Sequence, residues 1–149
     1  MLYLLFRLGN ERYALPATMV AEIIPLIAIT PLLGTPAGVA GIINYHGGSV
    51  PVIDLTTLAF DRPAVSRIST RIVIAHYAAG RHRLGLVAEH VTDTLNCVSE
   101  EFQPTGVENR GSPYLGPVRP DAKGVIQRVD VDALLSPEIR AALFSESDT

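Results

Sequence analysis

A chain of 149 residues has the length of one domain, or of two small halves sharing a core, which excludes a multidomain enzyme. Hydrophobic residues make up 48% and charged residues 18%, enough apolar surface to offset the entropy of ordering the chain, so a disordered protein is excluded too. The net charge of -3 gives no electrostatic footprint for nucleic acid or an anionic membrane, and one cysteine, Cys97, cannot build a disulfide framework or a Cys-based zinc site.

In chain order, short β-rich runs are punctuated by glycine, proline or asparagine, which predicts an all-β fold with helix in the minority. Runs 2–8 and 11–15 flank Gly9-Asn10 and predict an opening hairpin. Pro16 suits the first turn of a brief helix. Residues 20–29 read as a buried strand, and 41–45 with 49–55 as a second hairpin around Gly47-Gly48. Residues 61–69, with Pro63, are the expected connector between two halves. Runs 71–77 and 83–91 flank Ala79-Gly80, and 91–97 extends the second of them beyond a bulge. Residues 104–120, rich in Gly and Pro, are expected to be largely loop. A last strand over 125–131 precedes a terminal helix over 138–144, begun by Pro137 with Ser136 as its N-cap.

The chain repeats itself. Val20-Ala21-Glu22 recurs as Val87-Ala88-Glu89, and Ile53-Asp54-Leu55 with its following turn recurs as Val129-Asp130-Val131. Halves this small bury only about 60% of their unfolded surface alone, so they are expected to pack on each other. The opening residues have no positive charge ahead of the apolar run, and the apolar stretch 23–33 is broken by Pro25 and Pro31, so neither a signal peptide nor a membrane span is expected. The expected location is cytoplasmic.

The sequence lacks the common catalytic constellations. The only lysine, Lys123, follows no phosphate-cradling glycine loop, and Ser49 stands in no nucleophile elbow. Asp54 sits where a receiver domain carries its phospho-accepting aspartate, but only Glu11 follows the first strand as an acidic partner, so Asp54 reads as the cap of the turn 55–58, with Asp130 its structural equivalent. His46, His76, His82 and His90 form no metal-binding pair spacing, and no metal or cofactor is expected. His82, between Arg81 and Arg83, reads as part of a solvated hairpin tip, whereas His46 projects from a turn with no evident structural reason to be imidazole. Glu22 is either the outward residue of a half-buried strand or a partner contact. Ile23, Ile24 and Leu26 around it exceed what one buried face can take by alternation, which leaves apolar surface for another protein.

The segments Tyr3-Leu4-Leu5-Phe6-Arg7-Leu8-Gly9, Tyr13-Ala14-Leu15-Pro16, Val20-Ala21-Glu22-Ile23, Gly41-Ile42-Ile43-Asn44 and Val50-Pro51-Val52-Ile53-Asp54-Leu55 stand in one order and spacing. Leu84-Gly85-Leu86-Val87, Tyr114-Leu115-Gly116 and Val129-Asp130-Val131-Asp132-Ala133-Leu134-Leu135 continue the series. As a set they resemble the CheW-like chemotaxis coupling proteins over nearly the whole chain. The resemblance implies two intertwined five-stranded SH3-like barrels sharing a hydrophobic core, the first over roughly 15–60 and the second over roughly 70–135, with terminal elements crossing over, short helices and a C-terminal helix. It implies a non-catalytic adaptor without cofactor, recruited to membrane-bound receptor arrays, that couples the cytoplasmic tips of chemoreceptors to the regulatory domain of a histidine kinase and joins other CheW-like proteins in rings. Carried over by position, Val20, Glu22, Ile23, Val39 and Gly41 would face the kinase, and Asn44, His46, Val73 and Leu84 the receptor.

Two departures stand out. The family's Asn-x-Arg-Gly turn has arginine where this chain has His46, replacing a permanent five-donor fork by a group that titrates near pH 6.5 in isolation. Against an acidic receptor residue such a group would lose affinity as pH rises. Gln127-Arg128 interrupts a strand that is usually apolar. Together they favour a specialised, non-flagellar array such as a surface-sensing one.

Overall fold

The computed structural model describes residues 1–106 and 112–144. Among the described residues, nine strands and two short α-helices follow in the order β1 (Leu2–Leu8), β2 (Glu11–Pro16), β3 (Val20–Pro25), β4 (Val39–Tyr45), β5 (Gly48–Asp54), α1 (Leu55–Phe60), β6 (Arg71–Tyr77), β7 (His82–Asn96), β8 (Leu115–Asp121), β9 (Gly124–Val129) and α2 (Pro137–Leu143). The fold is all-β, as expected.

Two five-stranded sheets share β7. One runs through the C-terminal part of β7, then β1, β2, β9 and β8; the other through β3, β6, the N-terminal part of β7, β5 and β4. β6 pairs with β7 as far as Arg71↔Ala88, and β1 takes over from Arg7↔Glu89. His90, at φ +49°, lies just past this handover, in the irregularity between Arg7↔Glu89 and Leu5↔Asp93, the bulge at which the strand turns into the other sheet. The anticipated extension of 83–91 through 91–97 is therefore one 15-residue strand. Each sheet draws strands from both halves of the chain, so the barrels are intertwined.

The repeat is structural. Each sheet contains one parallel pair, β2 with β9 and β5 with β7, and each is closed by an isolated bridge, Thr30↔Ile42 in one and Gln103↔Val118 in the other. Asp54 and Asp130 both cap the helical turn that follows, their side chains accepting from Thr56 N and Thr57 N and from Asp132 N. Ser136 caps α2 by accepting from Ile139 N, with Pro137 at its first turn.

Side-chain alternation along the strands explains the core. Successive residues point to opposite faces. On β6, Ile72 and Ile74 face the interior of their own barrel with Ile43, Val50 and Val52, while Val73, Ala75 and Tyr77 face a larger cluster shared with Leu4, Phe6, Leu8 and Leu15 of the other sheet. Tyr3, Ala14 and Ile126 fill the barrel of β1, β2 and β9 from the opposite faces. Strands buried on both faces are why the sequence shows continuous apolar runs.

Three expectations need correction. The run 20–29 is not a buried strand: β3 ends at Pro25, and Ala21, Glu22 and Ile23 are exposed because β3 is an edge that pairs only with β6. The segment 104–120, expected to be largely loop, gives its last part to β8 from Leu115 onward, and residues 107–111 of it lie outside the described residues. Pro117 falls at an irregularity between Leu115 and Val118, and edge positions tolerate a missing N–H. The last strand ends at Val129, because Val131–Ala133 forms a 3₁₀ turn under the Asp130 cap.

Candidate functional site: an edge strand closed by a tyrosine, glutamate and histidine

β3 and β4 are the two end strands of one sheet, and the residues marked by the sequence gather where they meet. A register irregularity between Val20 and Glu22 breaks the alternation of β3, so three consecutive residues, Ala21, Glu22 and Ile23, reach solvent. Val20 and Val39 are half-buried against the shared core. Ile24 is half-buried against the core of its own barrel.

Gly41 on β4 is buried and takes φ +143°. A Cβ there would lie 2.0 Å from the Thr30 carbonyl oxygen, so glycine is what allows the segment through Thr30 to bridge onto Ile42. Its place is in closing the barrel. β4 turns into β5 through His46 (φ +51°) and Gly47 (φ +81°), both left-handed, as a two-residue hairpin requires. The turn is thus centred one residue before Gly47-Gly48. Histidine tolerates this conformation better than most side chains, a structural reason for His46 that the sequence did not disclose.

The turn brings Tyr45 and His46 against β3. The Tyr45 hydroxyl donates to Glu22 Oε1 at 2.7 Å, and His46 Nε2 lies 3.4 Å from the same oxygen. The two rings meet edge to face at 4.3 Å. Glu22 is held below the usual carboxylate range by the Tyr45 hydrogen bond and by His46. The Tyr45 phenol is raised correspondingly, first by donating to Glu22. Exposed Asn44 neighbours them on β4. The acidic neighbour of His46 is therefore on its own chain, and Glu22 and His46, assigned to different partners by resemblance, form one continuous patch with Ile23.

Val73 and Leu84 do not join it. Both lie in the shared core at about 1% exposure or less, on faces of β6 and β7 that meet the other barrel, so their side chains have no surface to offer a receptor. Tyr45 is the residue that sequence reasoning passed over. Its partner is 23 residues away, and no local pattern links an edge-strand glutamate to a tyrosine before a turn.

The remaining candidates are occupied structurally. Asp54 Oδ1 accepts from Thr56 N at 3.0 Å and Thr57 N at 3.2 Å, and Oδ2 from Ala64 N at 3.0 Å, so both oxygens are committed to capping α1 and holding the connector. Glu89, the repeat counterpart of Glu22, is buried and accepts from Thr56 Oγ1 at 2.8 Å. His82 is stacked on Phe144 of the C-terminal segment at 4.3 Å rather than merely solvated. Among the described residues, no three His, Cys, Asp or Glu side chains group to hold a metal, and no helix is long and apolar enough to cross a membrane.

Residues 2–138 match the family described as the CheW-like domain. The chain belongs to this family. The chemotaxis protein CheW of Klebsiella aerogenes is 30% identical to this CheW-like chain over 138 residues, covering 91% of it and 82% of the relative. A probable chemotaxis protein CheW of Rhizobium etli is 31% identical over 100 residues, 67% of this chain and 63% of the relative. Protein FrzA of Myxococcus xanthus is 33% identical over 86 residues, 58% and 52% of the respective chains. The crystal structure of the scaffolding protein TtCheW from Thermoanaerobacter tengcongensis superposes with a TM-score of 0.82 over 93% of this chain and 89% of that one, at 21% identity, a likeness of fold. The CheW-like assignment and the SH3-like double barrel agree, and with the named relatives they support a role as a chemotaxis adaptor.

Proposed function

We propose that this CheW-like protein is a non-catalytic adaptor that couples the cytoplasmic tips of chemoreceptors to the regulatory domain of a histidine kinase, within an array at the membrane. The observation that carries this reading is the exposed edge β3, where Ile23 presents apolar surface beside a fixed carboxylate, Glu22, instead of completing a core. An apolar centre with a polar rim is the composition of a protein interface. Val20, Glu22 and Ile23 form the kinase face; Val39 and Gly41 support it from β4. Asn44 and His46, continuous with that face, form the receptor contact. The proximity of His46 and Glu22 makes the two faces neighbours, so a receptor residue that competes for Glu22 would also touch the kinase edge. The substitution of histidine for the family's arginine favours a specialised, non-flagellar array.

Calorimetric titration against the regulatory domain of the co-encoded histidine kinase tests the reading. Saturable binding that Ile23→Asp abolishes is the expected result. A folded wild-type protein that binds neither that domain nor a receptor-tip fragment would overturn it.

A further inference from the structure

The barrel of β1, β2, β8, β9 and the C-terminal part of β7 carries a cleft of about 240 Å³ that the coupling reading does not use. Its charged and titratable lining is Arg7 on β1, Arg12 on β2, His90 and Asp93 on β7, and Lys123 in the turn between β8 and β9, with half-buried Leu5 and exposed Thr92 beside them. The hairpin register places Arg7 directly opposite Arg12, and like charges so placed destabilise a strand pair unless something compensates them. Arg12 is compensated: its guanidinium donates two hydrogen bonds to the Asp121 carboxylate, one of 2.8 Å. Arg7 and Lys123 are exposed and, among the described residues, pair with no carboxylate.

The bulge sets His90 on the cleft wall, and Arg67 Nη1 lies 3.4 Å from its Nε2. Arg67 is itself 3.9 Å from the buried Glu89. Asp93 is the carboxylate in the lining. With the Arg12–Asp121 and Arg67–Glu89 pairs balanced, Arg7 and Lys123 outweigh Asp93, a local positive excess on a chain of net charge -3. An excess of this kind attracts and orients an anionic partner.

We propose that this cleft binds an acidic segment of a partner protein, a stretch of carboxylates spaced along an extended chain. The cations stand on separate segments along the cleft, which suits charges spaced along a chain. A single small oxyanion is better held by donors converging on one point. The cleft lies on the opposite sheet from Glu22 and His46, so the proposal stands or falls independently of the coupling reading.

The test is calorimetric titration of the full chain with a hexaglutamate peptide at low salt. Binding is saturable, weakens as salt is raised, and falls at least tenfold in Arg7→Glu and in Lys123→Glu, while Arg81→Glu, at a hairpin tip of the other barrel, binds as the wild type does. Amide shifts on the wild-type protein, which need no variant to fold, move at Arg7, His90 and Lys123. Absence of saturable binding, an equal loss in Arg81→Glu, or shifts confined to other residues would overturn the site. Inorganic phosphate binding as tightly as the peptide would overturn the protein-segment assignment.

Discussion

Single side chains set the candidate site's chemistry through hydrogen bonds to carboxylates. Tyr45 is raised chiefly because it donates to Glu22, so Glu22→Gln should bring its phenol back down toward 10 in an ultraviolet titration. Asp121 is lowered to about 2, first by the Arg12 hydrogen bonds and then by Lys123 N. Its folded pKa lies below the unfolded value near 3.9, so its contribution to stability is present above that value and is lost as pH falls toward 2. Arg12→Gln should therefore lower stability at pH 7 more than at pH 2, and the Asp121 midpoint followed by NMR should rise. Salt should shrink the difference, since the pair is accessible to solvent. Gly41→Ala should cost about 1 to 3 kcal/mol in urea unfolding, because its Cβ meets the Thr30 carbonyl in a left-handed backbone that alanine resists.

Elements owe their limits to caps and edges. α1 is six residues long, too short to persist without its surroundings, and Asp54 ties its start to the connector. Asp54→Ala should cost about 1 to 2 kcal/mol, with Asp54→Asn milder because the amide oxygen still accepts. α2 is fastened at its far end by Phe144, which stacks on Tyr77 at 5.4 Å and on His82 at 4.3 Å. Phe144→Ala should speed amide exchange across α2 ahead of the strands, while Ile23→Asp on the edge β3 should leave the melting temperature nearly unchanged. The second comparison distinguishes an interface residue from a core one.

At the scale of the whole molecule, β7 makes the barrels one folding unit. It supplies the partner of β6 and of β1 in turn, and the largest apolar cluster takes side chains from both sheets. Urea unfolding followed at Tyr13 in one barrel and at Tyr45 in the other should give coincident transitions. Separated midpoints would mean that the halves are independent.

The sequence alone determined the all-β class, the hairpins at Gly9 and Gly47, the aspartate caps at 54 and 130, the Ser136 cap and the bulged continuation of β7, because turn chemistry, capping and period-two alternation act over a few residues. The ordered motif set also determined the family. Tertiary structure decided which apolar strands meet solvent. Residues 20–25 and 71–77 are similarly apolar, yet the first became an exposed edge and the second was buried on both faces, since burial depends on what packs alongside rather than on the run itself. It also decided that Val73 and Leu84 belong to the core, that Glu22 finds Tyr45 and His46, and that two copies of Val-Ala-Glu end in opposite surroundings, one carboxylate on an edge and the other inside. Such pairings join residues distant in sequence, and the pairing of strands into sheets brings them together.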